Sequence, residues 1–287
     1  MDTLKNKVAV VTGSTRGLGL AIARLYAAEG ATVVISGRTQ ATVDAVVAEL
    51  QAAGAQAVGL ACDVSDLQQV QALGAFAAEA HGGIDVWVNN AGLSAPYGPT
   101  TGVMTADFMR VVNTNIVGTY NGAMVALRYM LPVRRGKLIN LLGRSRRKGV
   151  KYQNAYTASK AWMASFTSAL AAENEDSGVG IFAFNPGLVD TDMLRRVDVV
   201  EGYEAKVKPL ATVLRLWGNQ PDLPAQKALW LASGATDGKT GLSVRVLTPG
   251  AALLGLLREG GRRLTGRPAP DTALTIRPVA PNREFGA

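Results

Sequence analysis

Tyr156 and Lys160 stand four residues apart in an Ala- and Ser-rich stretch, a spacing that on a helix projects both side chains from one face, one turn apart. A free phenol titrates near 10 and is a poor base at neutral pH, but a neighbouring ammonium stabilises the phenolate and is expected to pull that value down. The pair could thus carry acid/base chemistry, although the same spacing also fits an ordinary amphipathic helix. Other chemistries are poorly supplied. A single cysteine, Cys62, excludes an internal disulfide and a cysteine-cluster zinc site. A single histidine, His81, argues against a histidine metal centre or a Ser-His-Asp triad, and no metal is expected.

A second feature concerns phosphate. The apolar run Val8 to Thr12 ends in Gly13-Ser14-Thr15-Arg16-Gly17-Leu18-Gly19 and passes into helical sequence near Leu18. Glycines at such a junction allow a sharp turn and close approach to a pyrophosphate, while the helix start offers free N–H groups and the positive end of its dipole. After the next apolar run comes Ser36-Gly37-Arg38-Thr39, without the acidic residue that would bind an unphosphorylated adenosine ribose. Arg38, aided by Arg16, could instead grip a 2′-phosphate, which favours NADP(H) over NAD(H); solvated loop arginines are the alternative.

The elements that must position these groups follow a βαβ rhythm. Short β-branched runs at 8–12, 32–36, 57–62, 86–89, 137–142 and 180–185 alternate with helical segments at about 18–29, 40–53, 66–80, 105–131 and 155–176. Near-continuous apolar strands separated by helices predict an α/β fold: a Rossmann-type, doubly wound parallel sheet in one domain. The rhythm weakens at 193–226, read as a mobile cover over the carboxyl edge of the sheet, before a helix at about 225–233 and a last strand near 243–248. Residues 1–250 are therefore assigned to the domain, and 251–287 to a C-terminal extension whose amphipathic stretch 251–264 leads into an irregular Pro-rich tail packed on a surface. With 287 residues, 48% hydrophobic, the chain can bury a sizeable core. Its start lacks an apolar signal-type segment and no run is long enough to span a bilayer, so a cytoplasmic protein without membrane partner is expected. The net charge of +8 suits a phosphorylated cofactor; nucleic acid is not expected as a partner.

Taken in order, Thr12-Gly13-x-x-x-Gly17-x-Gly19, Cys62-Asp63-Val64, Asn89-Asn90-Ala91-Gly92, Asn115 within Thr114-Asn115-Ile116-Val117-Gly118, Tyr156-x-x-x-Lys160 and Asn185-Pro186-Gly187 leading to Thr191 make the chain resemble the short-chain dehydrogenase/reductase family over about residues 5–248. The resemblance implies that Asp63 and Val64 hold the adenine, that Asn90, Ala91 and Gly92 let the cofactor pass close by, and that Pro186, Gly187, Val189 and Thr191 contact the nicotinamide end. It further implies that Tyr156 exchanges a proton with a carbonyl or alcohol as hydride moves, and that Lys160 also binds the nicotinamide ribose. Asn115 would open a local kink and support the lysine through a water. The implied activity is hydride transfer between NADP(H) and a carbonyl or alcohol carbon of a small-molecule substrate, in a homodimer or homotetramer built through the helices at about 105–131 and 155–176.

One position departs from that pattern. The family's serine, thirteen residues before the tyrosine, is here Gly143. A serine hydroxyl polarising the substrate carbonyl would contribute a few kcal/mol, so something must replace it or the substrate must do without. Ser145 swinging in and a backbone N–H exposed at Gly143 are the candidates. The loop from Arg144 to Lys151 is strongly basic, and Arg195, Arg196, Lys206 and Lys208 in the cover add to it, which suggests an anionic substrate or carrier; a solvated basic loop is the alternative. Two rival functions stay open: reduction of an activated C=C or C=N bond on the same site, and a non-catalytic nucleotide-binding module.

Overall fold

In the computed structural model, which describes residues 3–143, 149–265, 268 and 272–284, the strands form one seven-stranded parallel sheet between two helical layers. In chain order the first half comprises β1 (Val8–Val11), α1 (Gly17–Ala28), β2 (Thr32–Gly37), α2 (Gln40–Ala52), β3 (Ala57–Ala61), α3 (Leu67–His81), β4 (Val86–Asn89), α4 (Thr105–Val111), α5 (Gly118–Met130) and β5 (Gly136–Leu141). The second half comprises α6 (Asn154–Glu173), β6 (Val179–Asn185), β7 (Leu188–Val189), α7 (Asp192–Arg195), β8 (Arg196–Val200), α8 (Glu204–Val207), α9 (Pro209–Trp217), β9 (Gly218–Asn219), α10 (Asp222–Ala232), β10 (Ser243–Arg245), α11 (Pro249–Leu264) and β11 (Thr275–Val279). The sheet order is β10-β6-β5-β4-β1-β2-β3, so the chain moves outward from β1 in one direction and then, from β4, in the other. The reversal beside β1 opens a crevice at the carboxyl ends of the strands, where such folds bind ligands.

The apolar strand runs are explained by burial on both faces: every residue of β1, β2, β4 and β5 is buried. Alternate strand residues pack under α1, α2 and α10, with Ile22, Val43 and Leu231 in that layer, and under α3, α5 and α6, with Leu73, Met130 and Leu170 in the other. Inside the second layer runs a chain of polar groups. Fully buried Trp87 donates its indole N–H to Asn89 Oδ1 (2.8 Å), Asn89 Nδ2 donates to Asn140 Oδ1 (2.9 Å), and Asn140 Nδ2 donates to Thr167 Oγ1 (2.9 Å). Buried amides are costly unless paired, so this chain fixes β4, β5 and α6 relative to one another.

Two expectations are corrected. The helix expected at 105–131 is interrupted by a π-helical stretch at Val112–Val117, the local kink implied around Asn115. The tail is not irregular: β11 pairs in parallel with β8, Thr275 opposite Arg196 through Val279 opposite Val200. The Pro-rich composition of the tail had argued for an irregular course, but an edge strand tolerates Pro278, a residue without an N–H. The segment 193–226 contains α7, β8, α8, α9 and β9, and among the described residues no helix is long and apolar enough to cross a membrane.

Candidate active site

The ends of strands β1 to β6 build the site. After β1, Gly13 (φ 64°) and Gly17 (φ 57°) take left-handed conformations that a side chain resists, and a side-chain carbon at Gly19 would overlap Asn90 Nδ2 and the Gly13 carbonyl. Asn90 braces the loop from β4 by donating Nδ2 to the carbonyls of Thr12 (2.8 Å) and Gly13 (3.0 Å), and Thr12 Oγ1 accepts the N–H groups of Asn90 and Ala91 (3.1 Å each). Ser14 is internal: its hydroxyl donates to the Val11 carbonyl (2.7 Å) and accepts the Ser36 N–H (2.9 Å). Thr15 lies against Gly37, and Gly17 faces Thr191 across the crevice. The α1 N-terminus at Arg16 has no side-chain cap, which leaves its first N–H groups for an anion. Arg16 and Arg38 are both exposed and make no ion pair among the described residues.

The remaining cofactor-type positions are arranged in step. Asp63 accepts from the Ser65 N–H (2.9 Å) and hydroxyl (2.7 Å), and buried Val64 packs on Gly118. Gly92 lies beside the reacting groups: a side-chain carbon there would stand in ordinary contact with them, 3.4 Å from Asn115 Oδ1 and 3.6 Å from Lys160 Nζ. On the far side Pro186 precedes Gly187 (φ 76°), whose N–H donates to Asn185 Oδ1 (2.9 Å), and Val189 and Thr191 follow on and beyond β7.

Tyr156 and Lys160 do share one face of α6 and point under the end of β5. Buried Lys160 donates Nζ to the Leu141 carbonyl (2.9 Å). Asn115, fully buried in the π-helical stretch, accepts the Leu93 N–H (2.9 Å) and donates to the Leu93 carbonyl and to Ser159 Oγ (3.0 Å each). It thereby ties the segment after β4 to the helix that carries Tyr156. Burial pushes the Tyr156 phenol up to about 12 and the Lys160 ammonium down to about 8. The expected depression of the phenol is thus reversed: the ammonium turns to a carbonyl and lies 5.9 Å from the centre of the tyrosine ring, while desolvation acts at full strength.

Gly143 acquires a physical reason. A side-chain carbon at this position would overlap the Tyr156 hydroxyl, so the phenol fills the room a serine would need. The Gly143 carbonyl is fixed by Asn185 Nδ2 (3.0 Å). Ser145, with Arg144, Arg146, Arg147 and Lys148, lies outside the described residues. Of the other basic residues, Arg195 is held by Asp190 (Nη2 to Oδ2, 2.7 Å), and Lys151 sits 4.9 Å from the centre of the Tyr152 ring.

A cleft of about 220 Å³ leads to Tyr156, lined among others by Pro96, Val103, Phe108, Tyr152 and Ala155. Sequence reasoning missed this wall. Tyr152 is its most unusual member, with φ 70°, a conformation that costs a bulky residue about 1–3 kcal/mol. Its carbonyl accepts the Gly98 N–H (3.1 Å) and its ring lies between Tyr97 and Tyr203, at 5.4 Å from each. No local sequence signal marks a left-handed tyrosine.

This fold and site define a dehydrogenase of the doubly wound class, and the chain belongs to the short-chain dehydrogenase family, whose model matches residues 7–201. It is 34% identical over 189 residues to the ketoacyl reductase HetN of Nostoc sp., covering 66% of each chain. It is also 32% identical over 247 residues to 3beta-hydroxysteroid dehydrogenase 1 of Eggerthella lenta, covering 85% of this chain and 94% of that one. Among solved structures it is similar to a variant of actinorhodin polyketide ketoreductase crystallised with NADPH, at 30% identity and a TM-score of 0.77, over 88% of this chain and 99% of the other.

Proposed function

We propose that the protein is an NADP(H)-dependent oxidoreductase that interconverts a carbonyl and an alcohol on a small molecule. The observation that carries this reading is the convergence of Tyr156, Lys160 and Asn115 at the inner end of an apolar cleft, beside a glycine cradle and an uncapped helix start.

The residues present fit a phosphorylated dinucleotide. Gly13, Ser14, Thr15, Arg16, Gly17, Leu18 and Gly19 offer a bare loop and free N–H groups to a pyrophosphate, with Ser14 bracing the loop from inside. Arg16 and Arg38 are exposed, make no ion pair among the described residues and are the cations assigned to a 2′-phosphate, and the neighbouring β2 end carries no acid to repel it. Asp63 and Val64 serve the adenine, Asn90, Ala91 and Gly92 line the passage, and Pro186, Gly187, Val189 and Thr191 hold the nicotinamide end. NADPH, when bound, supplies the hydride.

The chain's own work is then proton management. A phenol held up to about 12 is neutral at physiological pH, a standing donor for a carbonyl oxygen, which suits reduction better than alcohol oxidation. Lys160, at about 8, keeps its charge near neutrality and is held one turn from the phenol by the Leu141 carbonyl. Asn115 positions α6 through Ser159. Among the described residues the cleft lining carries no charge, so a neutral carbonyl region fits it; the anionic-substrate expectation falls on 144–148, outside those residues. A homodimer or homotetramer through α5 and α6 is supported by exposed Tyr120, 6.1 Å from Phe166, which stacks on Trp162 at 4.8 Å. A cytoplasmic location and the division at 250/251 remain part of the same proposal.

The test is oxidation of NADPH and NADH against ketones, aldehydes, enones and iminium compounds. Ketone or aldehyde turnover with NADPH preferred at least about tenfold, equivalent to about 1.4 kcal/mol, is expected. Turnover confined to enones or iminium compounds would shift the reading to C=C or C=N reduction, and tight NADPH binding without turnover would make the protein a binding module.

A further inference from the structure

The C-terminal extension reaches the rim of the cleft, beyond the residues matched by the family model. Strand β8 is held on both edges: the Tyr97 N–H donates to the Asp198 carbonyl (2.7 Å) and the Val200 N–H to the Tyr97 carbonyl (3.0 Å) on one side, and β11 pairs along the other. The Arg277 guanidinium forks onto Asp198 (2.7 and 2.6 Å), locking the register of β11 on β8. Past the strand the chain turns to the cleft. The Asn282 N–H donates to the Gly102 carbonyl (3.0 Å), Asn282 Nδ2 donates to the Val103 carbonyl (3.0 Å), and the Thr105 hydroxyl donates to Glu284. Val103 and Thr105 both line the cleft.

The contact continues inward. Val200 is buried against Gly98 and Gly102; a carbon added to those glycines would come within 2.5 and 3.1 Å of its side chain. Gly98 in turn donates to the carbonyl of Tyr152, the strained residue of the wall, four positions before Tyr156. One continuous set of contacts therefore joins the tail, β8, the 98–105 segment and Tyr152. Arg277 and Asp198 are exposed, so their pairing adds little stability and much geometry.

We infer that β11 and the turn through Asn282 and Glu284 act as a strap that sets the position of the outer cleft wall, making residues of the C-terminal extension positioning determinants of substrate choice. The inference rests on the reading of this cleft as the substrate site. In the full-length protein, Asn282→Asp keeps the side-chain shape and removes the Nδ2 donor, while Arg277→Ala removes the fork. Each is compared with the native protein for a bulky ketone and a small aldehyde, with amide hydrogen exchange over residues 97–105 as a second readout. The expected result is a rise of about tenfold in KM for the bulky ketone, with kcat, the aldehyde KM and NADPH affinity held within about twofold, and faster exchange over 97–105. Unchanged exchange, an unchanged ketone KM, or equal changes for both substrates would overturn the inference. A native protein that turns over no carbonyl compound would remove the proposed function instead; exchange alone would then decide whether the strap holds the wall, and unaltered exchange would reject it.

Discussion

The inner and outer walls of the cleft are held by different physics. The inner wall, from which Tyr156 and Lys160 project, is fastened by fully buried groups: the Trp87-Asn89-Asn140-Thr167 chain, Asn115 on Ser159, and Lys160 on Leu141. The outer wall is fastened by a two-stranded parallel pair, an exposed Arg277–Asp198 fork and the Asn282 turn. Buried hydrogen bonds leave an uncompensated group when one partner is removed, whereas exposed pairs are replaced by water at little cost. The inner wall is thus built to keep one geometry for the chemistry. The outer wall can be altered at small cost in stability, and substrate choice is best placed there.

The sharpest way to break this contrast is Trp87→Ala, expected to destabilise the protein by about 3–5 kcal/mol in denaturant unfolding, against less than about 1 kcal/mol for Arg277→Ala. Similar losses for both would erase the distinction. Next comes Gly143→Ser, which installs the residue that the family resemblance implies at this position. Because its side chain would displace the Tyr156 hydroxyl, kcat is expected to fall by tenfold to about a hundredfold, in keeping with overpacking costs of about 1–3 kcal/mol. A serine variant faster than the native enzyme would mean that the phenol does not need that space.

Arg38→Asp is expected to weaken NADPH by about tenfold, equivalent to about 1.4 kcal/mol, and to narrow its advantage over NADH, measured by titration of both nucleotides. Equal affinities in the native protein would remove Arg38 from recognition. A further test is one of pH. Lys160 titrates near 8 in the folded protein, below its ordinary value of 10.5, so between those values the unfolded chain binds the extra proton and stability contributed by this group rises with pH. The stability difference between native protein and Lys160→Met should therefore grow from pH 8 to pH 10; a flat difference would show that the ammonium is not desolvated.

How much of this was legible beforehand follows the same division. The sheet, its helices and the glycine cradle could be read because each rests on local pattern: an apolar run, a turn glycine, a helix start. The spacing of Tyr156 and Lys160 places them on one helix face, but that spacing also fits an ordinary amphipathic helix, and it was the ordered motifs of the family resemblance that singled the pair out. The strap was hidden because β8 and β11 are short strands that pair across a long stretch of chain, with β8 held on its other edge by Tyr97, and because the tail's prolines pointed to an irregular course. Tyr152 was hidden because its left-handed backbone is imposed by Gly98, Tyr97 and Tyr203 from elsewhere in the fold. The phenol was misjudged in direction, since spacing reveals the nearby ammonium and not the desolvation that outweighs it.

The central claim is that Tyr156 supplies the proton to a reduced carbonyl. It is tested most directly by NADPH oxidation with the best ketone, native protein against Tyr156→Phe, with NADPH binding measured in both. In the Phe variant kcat is expected to fall by about 10²–10⁴-fold while NADPH affinity stays within about twofold. Equal turnover by the two proteins would contradict it.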